Sequence, residues 1–361
     1  MLNRSQIAAI LVIVLAAGAG SWFVLKKKPQ ADFALFRGQT MGTTWSVRIA
    51  GRPRESEALA KIQADIESVL KTVNREMSIY DPESAVSKLN RLEAETAMEV
   101  PAALFHVLQF SLELAAMTGG AFDPTVGPLV NLWGFGPDGM MQKTPGTNQI
   151  AAARARVGYE KLKLSGANLV HKNRSDVYVD LGAVAKGFGV DAVVEMLAAQ
   201  GFTNCLVEIG GEVRALGVSI PGRKWRVGVQ RPNYSAEPGA ELQGVLHLSG
   251  MAAATSGDYQ NFYVTESGQT LSHIIDPRTA EPVGHSTAGV TVLAPDCMTA
   301  DGWATALYVL GPENGLPLVE AQPGIEVLFV VREGEKSFRE IASSEFSALS
   351  DYEPVGLEKS K

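Results

Sequence analysis

The chain has 361 residues, 46% of them hydrophobic, enough to bury a full core as one large domain or two closely packed lobes, which argues against a disordered or fibrous protein. Its formal charge is −7, and setting aside residues 1–30, which hold four basic side chains and no acidic one, leaves 28 basic against 39 acidic residues, or −11. An acidic body without a basic stripe argues against nucleic acid as a partner, and Cys205 and Cys297 form neither a disulfide framework nor a CxxC metal clip.

The first element is an uncharged apolar run of 19 residues, Ile7 to Leu25. As a helix it spans about 29 Å, matching a bilayer core of roughly 30 Å. Residues 1–30 therefore read as a membrane anchor or signal segment. Arg4 and the small residues Ala17-Gly18-Ala19 suit a cleavable signal peptide. Lys26, Lys27 and Lys28 pull the C-terminal side toward the cytoplasm.

Residues 31–342 read as one globular unit without repeats, followed by a polar tail, 343–361, expected to be loosely held. "FRGQTMGTTWSVRIAG" alternates like a strand, and "SEALAKIQADIESVLKTVNREMS" has helical spacing. "PAALFHVLQFSLELAAMTGG" is a helix opened by Pro101 and closed by a Gly pair. A helical piece, "TNQIAAARARVGYEKL", leads into expected strands "NLVHK" and "VYVDL", then a helix, "AVAKGFGVDAVVEMLAAQG". "NCLVEIGGEVRALG" follows as a strand, and "KWRVGVQRP" and "GVLHLSG" look like long antiparallel strands. With no regular βα alternation, the fold class expected is α+β, with mixed or antiparallel sheets and packed helices.

Along this frame several residues suggest chemistry, each with a plain structural alternative. Tyr80 precedes an Asp-Pro turn, where a packed aromatic is the alternative. Phe122 and Asp123 suit contact with a flat heterocycle, or an Asx-turn before Pro124. "VYVDLGAVAKG" runs into a helix carrying Lys186 in its first turns, either an anion cradle or tight strand-helix packing. Asp180 ends that strand. His273 lies three residues before Asp276, near enough to be oriented by it as a base, or is structural. His106, His171, His247 and His285 are assigned no role. In "CMTADGWATALYVLG", Asp301 and Thr305 lie four apart, on one helix face, and read as two converging oxygens or as a cap and a satisfied core hydroxyl.

Five separated signatures occur together: "TMGTTWSV", "GGAFDPTVGPLVNLWGFG", "VDLGAVAKG", "SHIIDPRT" and "MTADGWATAL". In this order they resemble the ApbE-like family of FAD:protein FMN transferases over residues 33–342. The resemblance implies an enzyme that binds FAD and Mg²⁺ and attaches FMN through a phosphoester to a Thr or Ser of an acceptor protein, releasing AMP. It implies that Asp301, Thr305 and the main-chain carbonyl of Ala183 hold the metal. Met41, Tyr80, Ala121, Phe122, Asp123, Asp180, Lys186 and Ile275 would surround FAD, and His273 would be the base. It further implies acceptor subunits of membrane redox complexes as partners, and an inner-membrane anchor with a periplasmic body. Many exported members carry a Cys for lipid attachment just after the apolar run; no Cys stands there in this sequence, which argues against lipidation. Two rival readings use the same residues: a Mg²⁺-dependent FAD pyrophosphatase and a flavin-binding protein without turnover.

Overall fold

The strand Thr287–Ala294 is buried at all eight positions, as expected only where both faces of a sheet are covered. It is the sixth of eight strands in the main sheet of the computed structural model, which describes residues 33–51, 56–137, 144–232, 241–258, 262–264, 270–334 and 337–355. The strands are β1 (Phe33–Thr40), β2 (Thr43–Ala50), β3 (Cys205–Ile209), β4 (Glu212–Leu216), β5 (Met251–Gly257), β6 (Thr287–Ala294), β7 (Glu326–Arg332) and β8 (Phe338–Ala342). They lie side by side in chain order and every pairing is antiparallel.

The side-chain period of two divides each central strand between two cores. Ala252, Ala254, Val290, Val292, Val327 and Phe329 face one core, which is shared with the helices. Ala253, Leu293, Leu328 and Val330 face another, closed by Trp225, Leu246, Leu248 and Phe346. The helical layer consists of α1 (Ser56–Met77), α2 (Ala102–Met117), α3 (Ala185–Ala199) and α4 (Cys297–Glu320). Buried Ile62, Ile66, Leu70, Val73 and Met77 form the single stripe that seats α1. A third cluster, with Leu129, Trp133, Val157, Ile275 and Ala280, forms a smaller lobe, pinned where Trp133 Nε1 donates to the Ala280 carbonyl at 3.0 Å. The arrangement is the expected α+β fold.

Three local expectations are corrected. "FRGQTMGTTWSVRIAG" and "NCLVEIGGEVRALG" are each two paired strands, turning at Met41-Gly42 and Gly210-Gly211, where all four residues have positive φ. "VYVDL" is not a strand: Val177, Val179 and Leu181 are buried, but the Asn90 side chain takes the Val179 N–H at 2.7 Å and donates to its carbonyl at 2.9 Å. One amide thus occupies both groups that a neighbouring strand would use. The C-terminal segment is anchored as far as the structure describes it, because the short helix Phe346–Ser350 buries Phe346 completely and sets its ring 5.6 Å from Tyr352. Phe346→Ala is expected to cost about 3 kcal/mol in chemical denaturation; a loss below about 0.5 kcal/mol would restore the loosely held tail.

The apolar run Ile7–Leu25 lies outside the described residues. Among those described, no helix is long and apolar enough to cross a membrane.

Candidate active site

A cavity of about 780 Å³ is bordered by the helical layer, the ends of the main sheet and the smaller lobe. All twelve residues singled out from the sequence line it: Met41, Tyr80, Ala121, Phe122, Asp123, Asp180, Ala183, Lys186, His273, Ile275, Asp301 and Thr305. They come from six separate segments that only the fold brings together.

Met41 is placed by the β1–β2 turn, where it has φ 49° and Gly42 φ 73°. Two positive φ values suit the tight hairpin turn, but a long side chain is an unusual occupant of the first of them. Its methyl group reaches toward α3, where a Cβ at Gly189 would come within 3.1 Å of it.

The charged end of the cavity is made where α3 and α4 touch. A Cβ on Gly187 would stand 2.3 Å from the Cys297 carbonyl oxygen and 2.8 Å from Asp301 Cβ, so this position admits no larger residue at the observed spacing. The Gly187 N–H, in the first turn of α3, donates to Asp301 Oδ2 at 3.0 Å. Gly187→Ala is therefore expected to lower stability by ~2 kcal/mol in spite of alanine's better helix propensity; an unchanged thermal midpoint would show that the helices separate freely.

Asp301 is not the cap of α4. Asp296 is, accepting from Thr299 N–H at 2.8 Å, while Asp191 on α3 accepts from the N–H groups of Cys297 and Met298. Asp301 sits one turn in, only 3% exposed, and Thr305 follows a turn later with Oγ1 3.3 Å from Ser256 Oγ. Lys186 Nζ lies 3.0 Å from Glu212 Oε1 and 3.7 Å from Asp301 Oδ1. Burial pushes both carboxyls above their ordinary range, against the pull of Lys186. Burial also works against the ammonium, yet the two carboxylates outweigh it and raise the Lys186 pKa. Two acids face one base, leaving the cluster with a formal charge of −1.

The same cavity is also lined by apolar and aromatic side chains, among them Phe122, Trp133, Phe135 and Ile275. Asp123 forms an Asx-turn while lining the cavity. Its Oδ1 accepts from the Thr125 N–H and hydroxyl at 2.8 and 2.6 Å, and its Oδ2 from Tyr159 N–H at 2.9 Å. Burial nevertheless raises its carboxyl pKa. Asp180 spends Oδ1 on the Gly182 N–H at 2.9 Å, and burial raises it too. Tyr80 stands at the rim, 71% exposed, instead of packing at a helix end.

His273 lies on the smaller lobe, its ring 6.3 Å from that of Phe135. Asp276, expected to orient it, sets both oxygens on Arg278: Oδ1 accepts from N–H and Nε at 2.9 and 3.0 Å, Oδ2 from Nη2 at 2.8 Å. Cys205 and Cys297 are buried free thiols, and burial raises both. Sequence reading missed Glu212, Ser256, Trp133 and Phe135. The two aromatics lie inside a quoted signature, but Glu212 and Ser256 carry no local signal.

Among the described residues, no three His, Cys, Asp or Glu side chains are grouped to hold a metal. A hard cation needing few protein ligands is a different case, because Asp301, with its carboxylate, Thr305, with its hydroxyl, and Ala183 line one cavity beside a cluster of negative formal charge. The donor set thus fits magnesium better than a softer metal.

Comparison with known proteins converges on one family. The model of the ApbE family matches residues 41–329. A FAD:protein FMN transferase of Vibrio cholerae is 38% identical over 343 residues, covering 95% of this chain and 98% of that protein. One from Haemophilus influenzae is 40% identical over 318 residues, covering 87% and 90%. The solved apo structure of Pseudomonas stutzeri flavinyl transferase ApbE is similar with a TM-score of 0.79 at 36% identity, covering 90% of this chain and 98% of that one.

Proposed function

The chain belongs to the ApbE family, and from that premise we propose that it is a FAD:protein FMN transferase, moving FMN from FAD to a Thr or Ser hydroxyl of an acceptor protein and releasing AMP. The observation that carries this reading is the make-up of the cavity: aromatic and apolar side chains that suit a flavin and a buried acid–base cluster that suits the pyrophosphate line one space of about 780 Å³.

In this reading Phe122, Met41 and Ile275 pack against the ring system, Asp180 accepts from a flavin or adenosine N–H or hydroxyl, and Ala121 and Tyr80 border the bound dinucleotide. Lys186 offsets pyrophosphate charge. Asp301, Thr305 and the Ala183 carbonyl would hold Mg²⁺, which when bound supplies Lewis-acid stabilisation of charge on phosphoryl oxygens. His273 takes the proton from the acceptor hydroxyl. That oxygen forms a bond to the FMN-side phosphorus as the bond from this phosphorus to the bridging oxygen breaks, and the bridging oxygen leaves with AMP.

The acceptors proposed are subunits of membrane redox complexes, and the placement proposed is an inner-membrane anchor at residues 1–30 with a periplasmic body. Support comes from the apolar run Ile7–Leu25; protection of the body from added protease in spheroplasts would reverse it.

Intact-protein mass spectrometry of the purified protein with FAD, Mg²⁺ and a candidate acceptor tests the reaction. One phosphoester-linked FMN per acceptor is expected, absent with EDTA or when the acceptor Thr is Ala. Free FMN and AMP with an unmodified acceptor would favour a pyrophosphatase, and unchanged FAD a binding protein.

A further inference from the structure

Glu212 has no role in the steps above, yet its placement is unusual. It is 4% exposed and opens β4, directly after the Gly210-Gly211 turn. Oε1 accepts from Lys186 Nζ at 3.0 Å, and Oε2 is buried without a hydrogen-bond partner. A carboxylate buried with a single cationic partner is an expensive arrangement, which points to that partner as its purpose.

We propose that Glu212 is a positioning residue that holds the Lys186 ammonium away from Asp301, so that Asp301 stays available to a divalent cation. The inference rests on the magnesium reading above. Asp301 Oδ2 is taken by the Gly187 N–H, which leaves Oδ1 for a cation, and Oδ1 is the oxygen that Lys186 approaches, at 3.7 Å. Glu212 draws the ammonium the other way. Without its charge, Asp301 is the carboxylate left in ion-pair range of Lys186 among the described residues, and the ammonium closes on Oδ1 in competition with the metal.

The turn before Glu212 is shaped around the same side chain. A Cβ on Gly210 would come 3.3 Å from Lys186 Cδ and 2.9 Å from Thr43 Cγ2. Gly210 therefore leaves the space through which the lysine stem passes to reach Glu212.

Mn²⁺ titration followed by electron paramagnetic resonance, on the full chain, tests this with Glu212→Gln, Lys186→Met and the double variant. Glu212→Gln is expected to raise the Mn²⁺ dissociation constant about tenfold or more. In the Lys186→Met background the same change is expected to matter less than about twofold, since its target is gone. Glu212→Asp, which keeps the charge on a shorter stem, should recover part of the affinity; should the Gln variant fail to fold, the smaller rise in dissociation constant left in the Asp variant, abolished in the Lys186→Met background, makes the same test. An equal loss in both backgrounds would mean that Glu212 acts on the cation directly, and no loss in either would remove its role; both overturn the inference alone. Wild-type protein that binds no Mn²⁺, or Asp301→Asn protein that binds it equally well, defeats the metal reading itself.

Discussion

Asp301→Asn is expected to reduce Mg²⁺-dependent FMN transfer by roughly 10³-fold, taking the several kcal/mol that a metal contributes to charge stabilisation at about 1.4 kcal/mol per factor of ten. The fold should survive the change. Asn keeps an oxygen for the Gly187 N–H, and removing one of the two acids facing Lys186 leaves a balanced Lys186–Glu212 pair in place of a cluster with one negative charge in excess. An excess buried charge is costly, and because Glu212 still pairs with Lys186 its removal orphans no partner. Metal-free protein should therefore melt no lower than wild type. The two should part on adding Mg²⁺: a cation that binds only the native state stabilises wild type by about 2.7 kcal/mol at a hundred times its dissociation constant, and the variant hardly at all. Calorimetry with and without Mg²⁺, beside the transfer assay, checks both halves. A variant that keeps full activity, or the full magnesium shift, would remove Asp301 from the metal site.

The sequence carries the helices and the site unequally. Helix α1 shows its buried stripe at spacings of three and four, so its extent is legible from pattern alone. The β1–β2 turn is not, because Met41 is a poor turn residue by propensity and is explained only by the cavity it lines. "VYVDL" has the alternation of a strand, but which groups satisfy its backbone depends on Asn90, 89 positions away. The same distance effect hides Glu212. An acid at the start of a strand reads as a solvated edge until the fold sets α3 against it and buries it beside Lys186. Asp301 and Thr305 were visible as a pair because helix periodicity joins them locally. Their common cavity with Met41, Ala183 and His273 was legible only through the joint signatures, since no spacing rule links residues so far apart in the chain.

His273→Ala is expected to lower kcat for transfer by about 10² to 10⁴, the usual contribution of a positioned general base, while the FAD dissociation constant stays within about twofold. The separation follows from where the residue stands. Lys186, Asp301 and Thr305 belong to helices of the main body, whereas His273 lies on the smaller lobe beside Phe135, and all four line the same cavity. Truncating it leaves the acid–base cluster intact, so the magnesium-dependent gain in thermal stability should match wild type. The two variants thus fail in opposite ways: Asp301→Asn loses the metal response along with the chemistry, and His273→Ala loses the chemistry alone. Single-turnover transfer with FAD prebound isolates the chemical step. If His273→Ala slows that step less than tenfold, the acceptor proton leaves by another route. If it weakens FAD binding in proportion to rate, His273 holds the dinucleotide instead of activating the acceptor.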